Sequence, residues 1–285
     1  MFYNGGMDDG VKSGGPTRVL VTGATSGLGR ELARQLGARG WRVAATGRRA
    51  DELQKTAQLV RAAGGEALVL PGSVTDDEQV RGHYAAIRSA WGGLDWAILN
   101  SGVGEAMDAR EFSAEVVRWT FDVNLLGAAR WLEAALPGMI AQGSGVIVGV
   151  ASLAGYRGLP KSGPYSASKA ALMTLLESAR VDLRGTGVEV VTVCPGFVKS
   201  EMTARNDRRS MPFLMETPDG AAAILRGVDA RRSVVHFPWP LSLPVKYLLA
   251  RLPDALYDRL AFAARNFRKK TPSEEALRRA SRGPA

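Results

Sequence analysis

The chain has 285 residues, 46% of them hydrophobic and 23% charged, and a formal net charge of +9. That length suits one large α/β domain with an appended tail. Its one cysteine, Cys194, excludes an intramolecular disulfide and suits a reducing, cytoplasmic setting. No apolar run approaches the ~20 residues of a membrane-crossing helix. The positive charge comes without a nucleic-acid-binding motif. Neither a transmembrane protein nor a nucleic-acid binder is expected, and no metal is called for.

Residues 1–16 are polar and glycine-rich and lack the apolar centre of a signal peptide; they read as a flexible segment outside the fold. Apolar runs at residues 18–21, 41–46, 66–70, 95–99, 145–150, 188–193 and 233–237 then alternate with helical patterns. This alternation predicts a single doubly wound Rossmann-type α/β domain over residues 17–240, with a mostly parallel seven-stranded sheet covered on both faces.

The first strand leads into Thr22-Gly23-Ala24-Thr25-Ser26-Gly27-Leu28-Gly29, and the helical pattern Arg30–Leu36 follows. Strand, glycine turn and helix form the setting in which backbone N–H groups cradle a pyrophosphate at a helix N-terminus. The spacing Gly-x-x-x-Gly-x-Gly differs from the commoner Gly-x-Gly-x-x-Gly, so the general motif fits only loosely. After the second strand stand Gly47, Arg48 and Arg49 where an NAD-selective site carries a carboxylate for the ribose 2′-hydroxyl. Gly47 leaves room, and the Arg48 guanidinium can pair with a 2′-phosphate; the other reading is that Arg48 and Arg49 merely solvate a helix start. The third strand runs into Pro71-Gly72-Ser73-Val74.

Further along come Asn100-Ser-Gly102 after the fourth strand, Asn124 in Asp-Val-Asn-Leu-Leu-Gly, and Ser152 in Ala-Ser-Leu-Ala-Gly. Tyr165 and Lys169 lie four apart in Tyr-Ser-Ala-Ser-Lys, on one helix face. A tyrosine near pKa ~10 is a poor proton donor at neutrality. An adjacent ammonium is expected to lower it toward the range of a general acid–base. Ser152 offers a hydroxyl to the same reacting oxygen. The sixth strand ends at Cys194, read as packing, and is followed by Pro195-Gly196-Phe197-Val198.

Together these motifs, in this order, resemble the short-chain dehydrogenase/reductase family over residues 17–237. The resemblance implies hydride transfer between a nicotinamide dinucleotide and a small carbonyl or alcohol substrate, with NADP(H) preferred and NAD(H) less favoured. It implies that Tyr165 exchanges the proton and that Lys169 lowers its pKa and holds the nicotinamide ribose. Ser152 would polarise the substrate oxygen, and Asn124 would anchor a water linking Lys169 to solvent. Beyond these four, the cofactor would contact Gly23, Thr25, Ser26, Gly27, Leu28, Gly29, Arg48, Ser73, Asn100, Gly102, Pro195, Gly196, the backbone of Val198, and Ser200, which stands where the family usually has a threonine. The family's Asp beside the adenine is absent here. The resemblance also implies a homodimer or homotetramer built from the long helices around residues 113–141 and 164–184. The alternative to an enzyme is a dinucleotide-binding regulator, or a membrane-recruited protein, with little turnover.

Residues 197–215 read as a lid carrying Phe197, Met202, Met211, Pro212, Phe213, Leu214 and Met215, an adaptable apolar pocket wall, with Arg205, Arg208 and Arg209 available for an acidic head group. An equal alternative is that these apolar side chains pack the lid onto the domain.

Charge is concentrated late in the chain. Residues 200–285 hold 16 basic against 9 acidic residues, while residues 1–199 hold 21 against 19. Residues 241–270 form a basic amphipathic helical extension, split by Pro253, with a stripe through Val245, Leu248, Leu249, Leu252, Leu256, Leu260, Ala263 and Phe267. Packing of this stripe on the domain or at a subunit interface is the favoured reading; peripheral contact with an anionic membrane is the other. Residues 271–285 are polar and expected to be disordered.

Overall fold

The structure is a computed structural model and describes residues 15–204 and 206–264. Most of the expected flexible start (residues 1–14), Arg205, the end of the extension (Arg265, Phe267, Arg268, Lys269 and Lys270) and the tail 271–285 lie outside the described residues.

Seven strands form one sheet in the order β3-β2-β1-β4-β5-β6-β7, every pairing parallel. They are β1 (Arg18–Thr22), β2 (Arg42–Gly47), β3 (Glu66–Pro71), β4 (Trp96–Leu99), β5 (Gly145–Val150), β6 (Val188–Pro195) and β7 (Val234–Phe237). Each matches a predicted apolar run to within two residues. Strands such as Val19–Val21 and Val190–Val193 are rich in β-branched residues and almost wholly buried, as a sheet covered on both faces requires.

Helices α1 (Gly27–Gly37), α2 (Ala50–Ala62) and α8 (Thr217–Asp229) accompany one core, in which Leu32, Leu53 and Ile224 pack on Val21, Ala45 and Val193. Helices α3 (Asp77–Trp91), α5 (Gly127–Gln142) and α6 (Gly163–Asp182) accompany the other, centred on Ile87, Trp131, Leu172 and Ile147. Local signals set the helix ends. Asp76 accepts from the Gln79 N–H to start α3, and Gly92 and Gly143 take left-handed conformations to end α3 and α5.

The strand order reverses between β1 and β4, so the loops at their C-terminal ends diverge and leave a crevice, the usual ligand position in an open α/β sheet. After β4 the short helix α4 (Ala114–Phe121) widens into a π turn over Asp122–Leu126 before α5 begins. After β6 a four-residue helix, α7 (Glu201–Ala204), lies over the crevice. Beyond β7 come α9 (Trp239–Leu243), a wound segment over Pro244–Arg251, and α10 (Asp254–Ala264). The break falls at Pro253, where the sequence placed it.

Candidate active site

The crevice is a cavity of about 1470 Å³. That exceeds an ordinary small-ligand pocket of roughly 300–1,000 Å³ and has room for a dinucleotide with a substrate. One wall is the β1–α1 turn, with Gly23, Thr25, Ser26, Gly27 and Leu28; Gly29 lies behind it, fully within the fold. Gly23 and Gly27 have positive φ (67° and 52°). A Cβ on Gly29 would come within 2.3 Å of the Gly23 carbonyl oxygen, so only glycine lets the turn fold back on the helix start. Asn100 fixes this turn from β4 by donating its side-chain amide to the Thr22 carbonyl at 3.0 Å, while Ser101 N–H donates to the Thr22 hydroxyl. Backbone donors, a helix N-terminus and glycines without Cβ atoms fit a bound pyrophosphate.

Gly47, Arg48, Arg49 and Ser73 line the same cavity beside this turn. Gly47 does more than leave space, as the sequence suggested: a Cβ there would lie 2.6 Å from the Thr25 methyl, so strand end and glycine turn are in direct contact. No acidic side chain fits at position 47 unless Thr25 moves. Arg49 is the arginine that ties this corner together. It donates to the Thr25 hydroxyl at 3.1 Å and forms a two-pronged pair with Glu201 of α7 at 2.9 and 3.1 Å. Ser26 donates to the same carboxylate. The Arg49 guanidinium holds the Glu201 carboxyl below its ordinary range. Sequence reading missed Glu201, whose partners lie more than 150 residues away along the chain. The Ser73 hydroxyl shares a hydrogen bond with Thr75 at 2.8 Å.

At the other end, Ser152, Tyr165 and Lys169 converge from the end of β5 and the start of α6. The Ser152 hydroxyl hydrogen-bonds the Tyr165 phenol and accepts from the Ala154 N–H at 3.1 Å. Lys169 is buried and donates its ammonium to the Val150 carbonyl at 2.7 Å, 5.8 Å from the Tyr165 ring centre. This arrangement corrects one expectation. Burial pushes the Tyr165 phenol above its ordinary value, and Ser152, rather than Lys169, is the neighbour that opposes the rise. Burial also lowers Lys169 itself to about 8. The ammonium points at a backbone carbonyl instead of the phenol, so desolvation outweighs the charge effect inferred from helical spacing.

Asn124 sits in the π turn, buried, and does not line the cavity. Its amide is engaged at both ends: Oδ1 accepts from Val103 N–H at 2.7 Å, and Nδ2 donates to the Val103 carbonyl and the Ser168 hydroxyl, each at 2.9 Å. Ser168 in turn donates to the Tyr165 carbonyl. Asn124 thus braces the Gly102–Val103 loop against the helix that carries Tyr165 and Lys169. A Cβ on Gly102 would meet both Asn124 Oδ1 and Lys169 Nζ within 3.4 Å, so these groups crowd the same point.

Pro195, Gly196, Val198 and Ser200 close the cavity from the end of β6. Thr203 donates to the Val198 carbonyl and accepts from the Ser200 N–H, which holds this turn in shape. The lid divides between the two readings. Phe197, Met202, Pro212 and Arg209 line the cavity, but Met211 is buried, Met215 packs against the core and Phe213 is exposed. Much of the apolar wall comes instead from Trp119, Leu159 and the extension residues Leu241, Val245 and Leu249. Val245 and Leu249 belong to the stripe read from the sequence and Leu241 precedes it; which face of the extension turned inward was not legible there. Cys194 is buried as expected, and burial raises its thiol to about 11.

A glycine-turn crevice at the switch point of a parallel sheet, with hydroxyl, phenol and ammonium gathered at one end, defines an oxidoreductase of the nicotinamide-dinucleotide-binding class. Comparison with known proteins makes the assignment specific. The short chain dehydrogenase family model matches residues 17–210. An uncharacterised oxidoreductase of Myxococcus xanthus is 46% identical over 243 residues, covering 85% of this chain and 95% of its own. A ketoacyl reductase of Nostoc sp. is 34% identical over 220 residues, 76% of this chain and 77% of its own. The crystal structure of a short-chain dehydrogenase/reductase from Burkholderia phymatum in complex with NAD superposes with a TM-score of 0.76 at 26% identity, covering 91% of this chain and 97% of that one. The chain belongs to the short-chain dehydrogenase/reductase family.

Proposed function

We propose that the protein is an NADP(H)-dependent reductase of an apolar ketone, or the reverse dehydrogenase of the corresponding secondary alcohol, acting in the cytoplasm as a homodimer or homotetramer. The observation that carries this reading is the convergence of Ser152, Tyr165 and Lys169 at one end of a cavity whose other end holds Arg48, Arg49 and the glycine turn. When bound, the dinucleotide supplies the hydride for the carbonyl carbon. The chain handles everything else. Ser152 holds the substrate oxygen with its hydroxyl, and Tyr165 transfers its phenolic proton to that oxygen as it becomes an alkoxide, so the carbonyl leaves as an alcohol. The Tyr165 phenol is protonated at neutral pH already at its ordinary value, the form that donates in the reducing direction; burial raises that value further, and the Ser152 hydroxyl opposes the rise. Lys169, held by the Val150 carbonyl, stands ready for the nicotinamide ribose and for returning a proton to the phenolate. Asn124, whose Oδ1 accepts one hydrogen bond and keeps a second acceptor site, would anchor a water in this relay.

The preference for NADP(H) rests on the missing carboxylate at Gly47 and the two arginines beside it. Fluorescence titration should give NADPH an affinity at least ~10-fold above NADH, and Arg48→Ala should erase most of that gap. Equal affinities in the parent protein would refute the assignment. The apolar wall of Trp119, Leu159, Leu241, Val245 and Leu249 supports an apolar substrate.

A further inference from the structure

The extension beyond β7 faces two ways. Leu241, Val245 and Leu249 point into the cavity. On α10, Tyr257 is buried: its hydroxyl donates to the Gly158 carbonyl, and the Arg157 guanidinium lies 4.4 Å over its ring. Arg157 also pairs with Asp254 at 2.6 Å and donates to the Ala250 carbonyl. These contacts pin the extension to the domain and fix which side looks out. The outward side carries large apolar residues among its charged ones. Trp239 is 71% exposed, Leu248 64% and Leu260 51%, with Leu243, Tyr247 and Leu256 exposed beside them in sequence. An ordinary docked helix does the reverse, turning leucines inward and charges outward. Packing on this chain's own domain, one of the two placements favoured by the sequence reading beside a subunit interface, therefore accounts for Val245 and Leu249 but not for Leu248, Leu256 and Leu260.

Basic side chains accompany these residues. Lys246 and Arg251 approach the Tyr247 ring at 5.0 and 5.9 Å. Residues 239–264 hold three basic residues, Lys246, Arg251 and Arg259, against Asp254 and Asp258, of which Asp254 is already paired with Arg157; the next six residues of the sequence add four more basic ones and no acidic one. Among the described residues no helix is long and apolar enough to cross a membrane. We infer that residues 239–264 dock in the plane of an anionic lipid bilayer, with Trp239, Leu243, Leu248, Leu256 and Leu260 in the interface and Lys246, Arg251 and Arg259 against lipid phosphates. Because the same segment walls the cavity, an apolar substrate dissolved in the bilayer would enter directly; this last step rests on the reductase reading above, whereas the docking does not.

The test uses the full-length chain and sedimentation with vesicles of phosphatidylcholine alone or with about a third phosphatidylglycerol. The parent should co-sediment with the anionic vesicles at least ~10-fold more strongly than with the neutral ones, and high salt should weaken the binding. A variant carrying Leu243→Ser, Leu248→Ser, Leu256→Ser and Leu260→Ser should lose it by a similar factor, yet keep its melting temperature and its NADPH turnover with a water-soluble ketone. Failure of the parent to bind anionic vesicles, or equal binding to both kinds, overturns the proposal. So does a parent that binds no vesicles but whose particle size in solution falls in the quadruple variant, since the patch is then an interface between copies of the chain. Loss of turnover in the parent leaves the vesicle result standing and bears only on the reductase reading.

Discussion

At the residue scale, the proton balance of the site is governed by burial. Lys169 titrates near 8 because the cavity wall removes water from its ammonium, with the Val150 carbonyl as partner. If the charged form supports turnover, kcat/KM falls as pH rises through about 8, and Lys169→Met removes that alkaline limb along with most of the rate; a flat profile in the parent contradicts this. The same depression affects stability. Between about 8 and the ordinary value of 10.5 the unfolded chain holds the extra proton, so stability rises with pH across that window. Lys169→Met should accordingly melt higher at pH 7, by on the order of 1–3 kcal/mol or roughly 3–8 °C, with the advantage gone near pH 10. A variant that melts lower at pH 7 shows that the buried ammonium contributes more than it costs. Gly29→Ala should abolish dinucleotide binding in titration, because its Cβ meets the Gly23 carbonyl at 2.3 Å. Tyr165, Lys169 and the glycines were legible in sequence because each is a local pattern with a chemical meaning. Their protonation was not, since it depends on a cavity assembled from distant strands.

At the element scale, every strand was legible because each is a short buried run bounded by turns. What the sequence could not supply was the contact between elements distant along the chain. Helix α7 reaches the glycine turn through Glu201, which takes Arg49 and Ser26 at once. No sequence period links these positions, and only the parallel crossovers bring them together. A 2′-phosphate would compete with the Glu201 carboxylate for Arg49. Both side chains are substantially exposed, so the pair is weak. Glu201→Gln should raise NADPH affinity by about two- to fivefold and leave NADH affinity nearly unchanged. Unchanged affinity for both dinucleotides would mean that the carboxylate does not compete. Asn124 makes the same point from the opposite side: the motif was plain, but its amide braces a loop rather than facing the cavity.

At the scale of the whole molecule, one parallel sheet creates the crevice, and the extension past β7 completes its apolar wall and carries an outward apolar face. The extension's break at Pro253 was legible from the residue type alone; its orientation was not, because a stripe of leucines reads the same whichever side faces the domain. Tyr257 is the anchor, so Tyr257→Ala should release α10, seen as lost hydrogen-exchange protection over residues 254–264, while the sheet stays protected. Retained protection there would move the anchor elsewhere. On the proposed reading, this cavity reduces a carbonyl with Tyr165 as proton donor. The most direct test of that reading follows NADPH absorbance with a panel of apolar ketones, for the parent and for Tyr165→Phe, with NADPH binding measured alongside. Expected are turnover in the parent, a loss of at least ~10²–10⁴-fold in the variant, and nearly unchanged NADPH affinity. Equal turnover in Tyr165→Phe would contradict it.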